Sequence, residues 1–128
     1  MSAAVAMTSA KGMLVSMSKS RQKGTSFETA VVNYLHERGL RGAVRTGSAA
    51  YGDGDILGVP PLVIEAKNCA KMELSAWVNQ ATDSRDRRDF EGEVPVVVHK
   101  RKGKNVAQSY VTLTLEELVN LYDHLINI

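Results

Sequence analysis

The chain has 128 residues, with 16 Lys or Arg against 14 Asp or Glu and a formal net charge of +2. That length suits one domain with a core of its own, built mainly from aliphatics, because only one Trp, two Phe and four Tyr are present. The single cysteine, Cys69, excludes an internal disulfide and a cysteine-based zinc site, and no run approaches the ~18 apolar residues of a membrane span.

In chain order, residues 1–20 are rich in Ser, Ala and Met and carry no acid. They lack both a charged start and a sustained apolar centre, so they read as a flexible leader rather than a secretory signal. The expected location is cytoplasmic. Residues 21–128 contain no repeat or linker and read as a single domain.

The spacing of Phe27, Ala30, Val31, Tyr34 and Leu35 predicts a helix over 25–38. Thr25 with Glu28 fits a capping box, and Gly39 ends the helix. Ala43 to Thr46 reads as a short strand. Gly47 to Gly54 is a loop of small residues that allows close backbone approach to a ligand.

The stretch Gly52 to Lys67 organises the rest. Ile56 to Val59 and Leu62 to Ala66 are strand-forming, and Pro60-Pro61 between them marks a turn and bars a helix. An antiparallel hairpin puts Asp55 opposite Ile64 or Glu65. Alternation places Glu65 and Lys67 on one face, Ile64 and Ala66 on the other. Two carboxylates facing each other in an apolar setting are costly. A hard divalent cation would reverse that cost; the plainer alternative is a solvated Glu65 paired with Lys67.

Beyond Lys67 the period changes. Leu74, Trp77, Val78 and Ala81 predict a helix from about Glu73 to Asp89, with Gln80, Ser84 and Arg87 along one flank. Val94 to His99 is an apolar strand, Lys100 to Asn105 a basic turn, and Gln108 to Leu113 a return strand. Thr114 with Glu117 forms a second capping box. It opens a helix whose Leu115, Leu118, Val119, Tyr122, Leu125 and Ile126 form an apolar stripe.

Charge is unevenly spread. Arg85, Arg87 and Arg88 cluster, as do Lys100, Arg101, Lys102 and Lys104, while Asn105 to Ile128 holds no Lys or Arg. Such clusters on a nearly neutral domain suit phosphate contact through one face; they equally suit solvated loops.

The order helix, three strands, helix, two strands, helix, with Glu28, Asp55 and Glu65-Ala-Lys67 placed on it, resembles the PD-(D/E)xK nucleases. It is most similar to the archaeal-type Holliday junction resolvases. Lys23-Gly24 before an acid-bearing helix, Arg45 on a strand and the Gly47-Ser48 loop extend the match, which covers Gln22 to Lys104. Gly54 replaces the motif's Pro before Asp55, and Asp53 is a rival for the role.

The resemblance implies an α/β fold: a restriction-endonuclease-like αβββαβ core, with a mixed central sheet flanked by helices and an extra C-terminal helix. It implies a Mg²⁺-dependent endodeoxyribonuclease, with Mn²⁺ as a substitute ion. Glu28, Asp55, Glu65 and the Ala66 carbonyl would hold the metal. Lys67 would act on the attacking water or the phosphate, and Ser48 would assist. Lys23, Arg45, Gln80, Arg87, Arg88, Lys100, Arg101, Lys102 and Lys104 are the candidate DNA contacts. His99 is an alternative general base. The expected partners are branched DNA, best a four-way junction, and a second copy of the chain in a homodimer, with no membrane. Other repair, replication or restriction-type nucleases, and a non-catalytic DNA-binding module, share these features.

Overall fold

The computed structural model describes residues 19–46 and 55–127. The expectations for residues 1–18 and for the loop at 47–54, with Ser48 and Asp53, lie outside the described residues. The order is α1 (Lys19–Glu37), β1 (Val44–Arg45), β2 (Ile56–Val59), β3 (Leu62–Lys67), α2 (Leu74–Arg88), β4 (Val94–His99), a 3₁₀ turn (Val106–Gln108), β5 (Tyr110–Thr112) and α3 (Leu115–Ile126). The strands form one mixed sheet in the order β1-β2-β3-β4-β5. Only β3 and β4 run parallel, joined by the α2 crossover.

The two central strands are buried on both faces, as parallel pairs are. Their residues sort by alternation. Ile64, Ala66, Val94 and Val96 join Phe27, Val31 and Val32 of α1 in one cluster, whereas Val97 meets Trp77 and Ala81 of α2 on the other side. No helix among the described residues is long and apolar enough to cross a membrane.

Three expectations need correction. The Thr25–Glu28 capping box does not form, because α1 begins at Lys19 and Thr25 lies inside it. Lys, Arg and Gln upstream are good helix formers, and Gly24 costs only about 1 kcal/mol, so nothing stops the helix sooner. It also overlaps the last two residues of the expected leader. The return strand is shorter than predicted, because residues 106–108 are taken into the 3₁₀ turn.

In the second capping box Thr114 Oγ1 does accept from the Glu117 amide. The Glu117 carboxylate turns instead to Arg85 and Asn120. At the far end of α1 the expected stop is present. Gly39, at φ 94°, closes the helix with bonds from its own amide to His36 O and from the Leu40 amide to Leu35 O.

The edge of the sheet depends on a backbone contact. Gly58 has φ 89°, and a Cβ there would collide with the Gly42 carbonyl. Gly103 has φ 77° with open space around it. Gly58→Ala is therefore expected to cost about 2 kcal/mol or more, combining strain with the clash, and Gly103→Ala about 1 kcal/mol. Urea unfolding midpoints at unchanged m value check the order; equal losses would remove the close-contact argument.

Candidate active site

Asp55 stands at the mouth of the β2–β3 hairpin. Its amide donates to Ile64 O (2.9 Å), and its carbonyl accepts from Thr46 N (3.0 Å), which ties three strands together. Its side chain folds across the hairpin, where Oδ2 accepts from the Ala66 amide at 2.8 Å. Of Ala66, the N–H is the group seen to touch Asp55.

Glu65 is 2% exposed. Its Oε1 accepts from the Ser84 hydroxyl at 3.1 Å, whereas Oε2 is buried with no hydrogen-bond partner. Burial, and then the adjoining Asp55 charge, raise the Glu65 acid from 4.5 to about 7; Lys67 and Ser84 oppose the shift.

Lys67 points to the same face and donates to Gln80 Oε1 at 2.7 Å. The pairing follows from repeat lengths. Residues two apart on a strand are separated by roughly 6.8 Å, and residues four apart on a helix by roughly 6 Å. Ser84 and Gln80 on α2 therefore match Glu65 and Lys67 on β3.

Glu28 comes from α1 and forms a 3.1 Å ion pair with Arg45 of β1. Burial, and then the Asp55 charge, raise its acid, while Arg45 and Lys67 lower it. The structure thus brings Glu28, Arg45, Asp55, Glu65, Lys67 and Gln80 into one cluster. Ser84, expected only on a polar flank, is the buried support of Glu65; its i, i+4 spacing from Gln80 was the available signal. Arg87 sits beside it, with Nη2 3.4 Å from Ser84 Oγ.

Other candidates stand elsewhere. Arg88 makes a two-point pair with Glu93 (2.8 and 2.9 Å) and covers the Phe90 ring. Arg101 lies over Tyr110, and Lys102 is exposed on the turn. Lys23, Lys100 and Lys104 line a separate groove. His99 is buried between Trp77 and Tyr110, bonds Thr112 Oγ1 at 2.8 Å, and burial lowers its pKa. Those contacts make it a packed ring.

A divalent cation asks for hard oxygen ligands, and Mg²⁺ commonly takes only one or two carboxylates from a protein. Asp55 and Glu65 fit that demand, since a buried carboxylate oxygen without a donor lies beside a second carboxylate. Among the described residues no three acidic, His or Cys side chains converge closely enough to hold a metal. Glu28 is engaged with Arg45 instead.

The raised Glu65 acid gives a signed prediction for the metal-free protein. Between about pH 4.5 and 7 the folded state binds this proton more tightly than the unfolded chain. Its penalty is therefore full above pH 7 and is relieved as pH falls through that window. Glu65→Gln is expected to raise the melting temperature at pH 8 in chelator, with a gain over wild type that shrinks towards pH 5. A gain independent of pH would show that Glu65 is not the titrating group. No family model, curated protein or solved structure matches this chain.

Proposed function

We propose that the protein is a Mg²⁺-dependent, structure-selective DNA endonuclease that hydrolyses phosphodiesters, with a four-way junction as its best substrate. The observation that carries this reading is the buried, donorless Glu65 Oε2 beside Asp55. A buried carboxylate oxygen beside a second carboxylate is relieved by a shared proton or by a cation, and the pair of hard oxygen ligands suits a divalent ion. The element order α1–β1–β2–β3–α2–β4 supports a restriction-endonuclease-like core, and a DNA substrate fits the expected cytoplasmic location.

On this reading Asp55 and Glu65 hold the ion, with Ser84 fixing the Glu65 carboxylate and the Ala66 amide fixing that of Asp55. When bound, the ion neutralises phosphate charge and makes hydroxide available near neutral pH. Glu28 stands ready as a further carboxylate and keeps Arg45 beside the phosphate path. Lys67, held by Gln80, orients the attacking water or stabilises charge developing on the phosphate.

The exposed face of α3 supports a symmetric dimer. Leu118 is 48% and Leu115 76% exposed, and Tyr122 and Leu125 lie between those values. Apolar patches of this kind mark interfaces, and a two-fold dimer matches a two-fold junction.

Millimolar Mg²⁺ is expected to raise the melting temperature, and Asp55→Asn to lose most of that gain. Equal responses would remove the metal site. On matched junction, flap, duplex and single-stranded substrates, Lys67→Ala is expected to keep affinity within a few-fold and to lose about 10²-fold or more in turnover. Preference for flap or duplex would replace the resolvase reading with a general nuclease, and binding without cleavage by wild type would leave a DNA-binding module. Light scattering should find a dimer at micromolar concentration; a monomer that stays single on junction DNA would overturn the two-fold arrangement.

A further inference from the structure

A groove of about 780 Å³ opens between the N-terminal half of α1 and the turn after β4. Lys19 and Lys23 reach it from the helix, Lys100 and Lys104 from the turn, and among the described residues no Asp or Glu lines it. Among the described residues none of these four lysines makes an ion pair. Gln22, Ser26, Asn68 and Asn105 add polar groups between them.

Four ammonium groups around one concavity repel one another, and a polyanion reverses that cost. Lys19 and Lys23 are one helical turn apart, about 6 Å along the axis, so both meet a strand running along α1. The turn divides its own charges: Lys100 and Lys104 face the groove, while Arg101 is taken up by Tyr110.

The groove adjoins the end of β3. Asn68 follows Lys67 directly, and the Lys100 amide donates to the Lys67 carbonyl at 3.0 Å. A strand bound in the groove therefore passes beside the end of β3, next to Lys67.

We propose that this groove binds the phosphodiester backbone of the nucleic-acid strand that leads to the Asp55–Glu65 cluster, with Lys19, Lys23, Lys100 and Lys104 making the phosphate contacts. The inference rests on the hydrolase reading for the strand's destination, but not for the binding itself. Flexible ammonium groups act as point charges, so the contacts position the strand and carry no base sequence.

The test measures binding of fluorescently labelled single-stranded and duplex DNA to the full chain, in chelator, across a salt series. Each phosphate contact contributes roughly 0.7 to the log–log salt slope for a single strand and roughly 0.9 for a duplex. Replacing all four lysines with Gln is expected to reduce the slope by about three and to weaken binding about tenfold or more at low salt. The pairs Lys19→Gln with Lys23→Gln, and Lys100→Gln with Lys104→Gln, should each give about half of that change in slope. Unaltered melting temperatures establish that the variants fold. The exposed pair Arg38→Gln with Arg41→Gln, at the opposite end of α1, should leave the slope unchanged.

An unchanged slope in the four-lysine variant overturns the proposal. So does an equal loss in the Arg38 and Arg41 control, which would make the attraction diffuse, or tighter lysine-dependent binding to anionic lipid vesicles than to DNA. Groove-dependent binding without any Mg²⁺-dependent cleavage keeps the groove and removes the hydrolase. Cleavage by a protein whose DNA affinity ignores the four lysines does the reverse.

Discussion

The structure depends on a charge that its own core strand buries. Glu65 sits in the middle of β3, with Ile64 and Ala66 turned into the α1 cluster and its own side chain turned under α2. A carboxylate in that position is costly unless it is protonated or paired, and Asp55 beside it raises the cost. The Ser84 hydroxyl satisfies one oxygen and leaves the other without a donor. Stability would favour an apolar residue here. The sheet retains an acid, and both neighbouring helices carry polar groups to serve the cluster.

Each layer contributes through its own geometry. The hairpin brings Asp55 across to β3, and the Ala66 amide holds its carboxylate in place. α2 lies with one helical turn over two strand residues, so Ser84 and Gln80 reach Glu65 and Lys67 together. α1 supplies Glu28 and, in the preceding turns, the lysines of the adjacent groove. Acids and bases are thereby separated along one helix: negative charge over the carboxylates, positive charge over the path leading away.

The final helix follows a different logic. It is tied down along a polar edge, by Glu117 to Arg85 and by His124 to the Gly92 carbonyl, and Leu121 is its anchor in the core. Its apolar row faces outward. An amphipathic helix normally buries that row against its own sheet; here the polar edge holds it turned away.

Local chemistry alone determined a good deal. The Pro60-Pro61 turn and the period-two pattern around it set the hairpin, and with it the sharing of one face by Glu65 and Lys67. Gly39 ended α1, and the 3.6-residue spacing of Leu74, Trp77 and Ala81 placed α2 to within a residue at each end. These features depend on neighbours in sequence, so they are legible there. What the tertiary structure decided depends on distant partners. Thr25 could not be recognised as helix interior from a motif that looks the same inside a helix as at its start. Ser84 looked like a solvent flank until β3 lay beneath it, Gln80 stays exposed while reaching Lys67, and the pairing of Arg88 with Glu93 depends on how the chain turns after α2. The apolar row of α3 reads identically whether it covers a sheet or faces outward, because amphipathicity fixes which side is apolar and not what that side meets. The pairing of Lys19 and Lys23 with Lys100 and Lys104 joins residues some eighty positions apart, and only the packing of α1 beside the end of β4 brings them together.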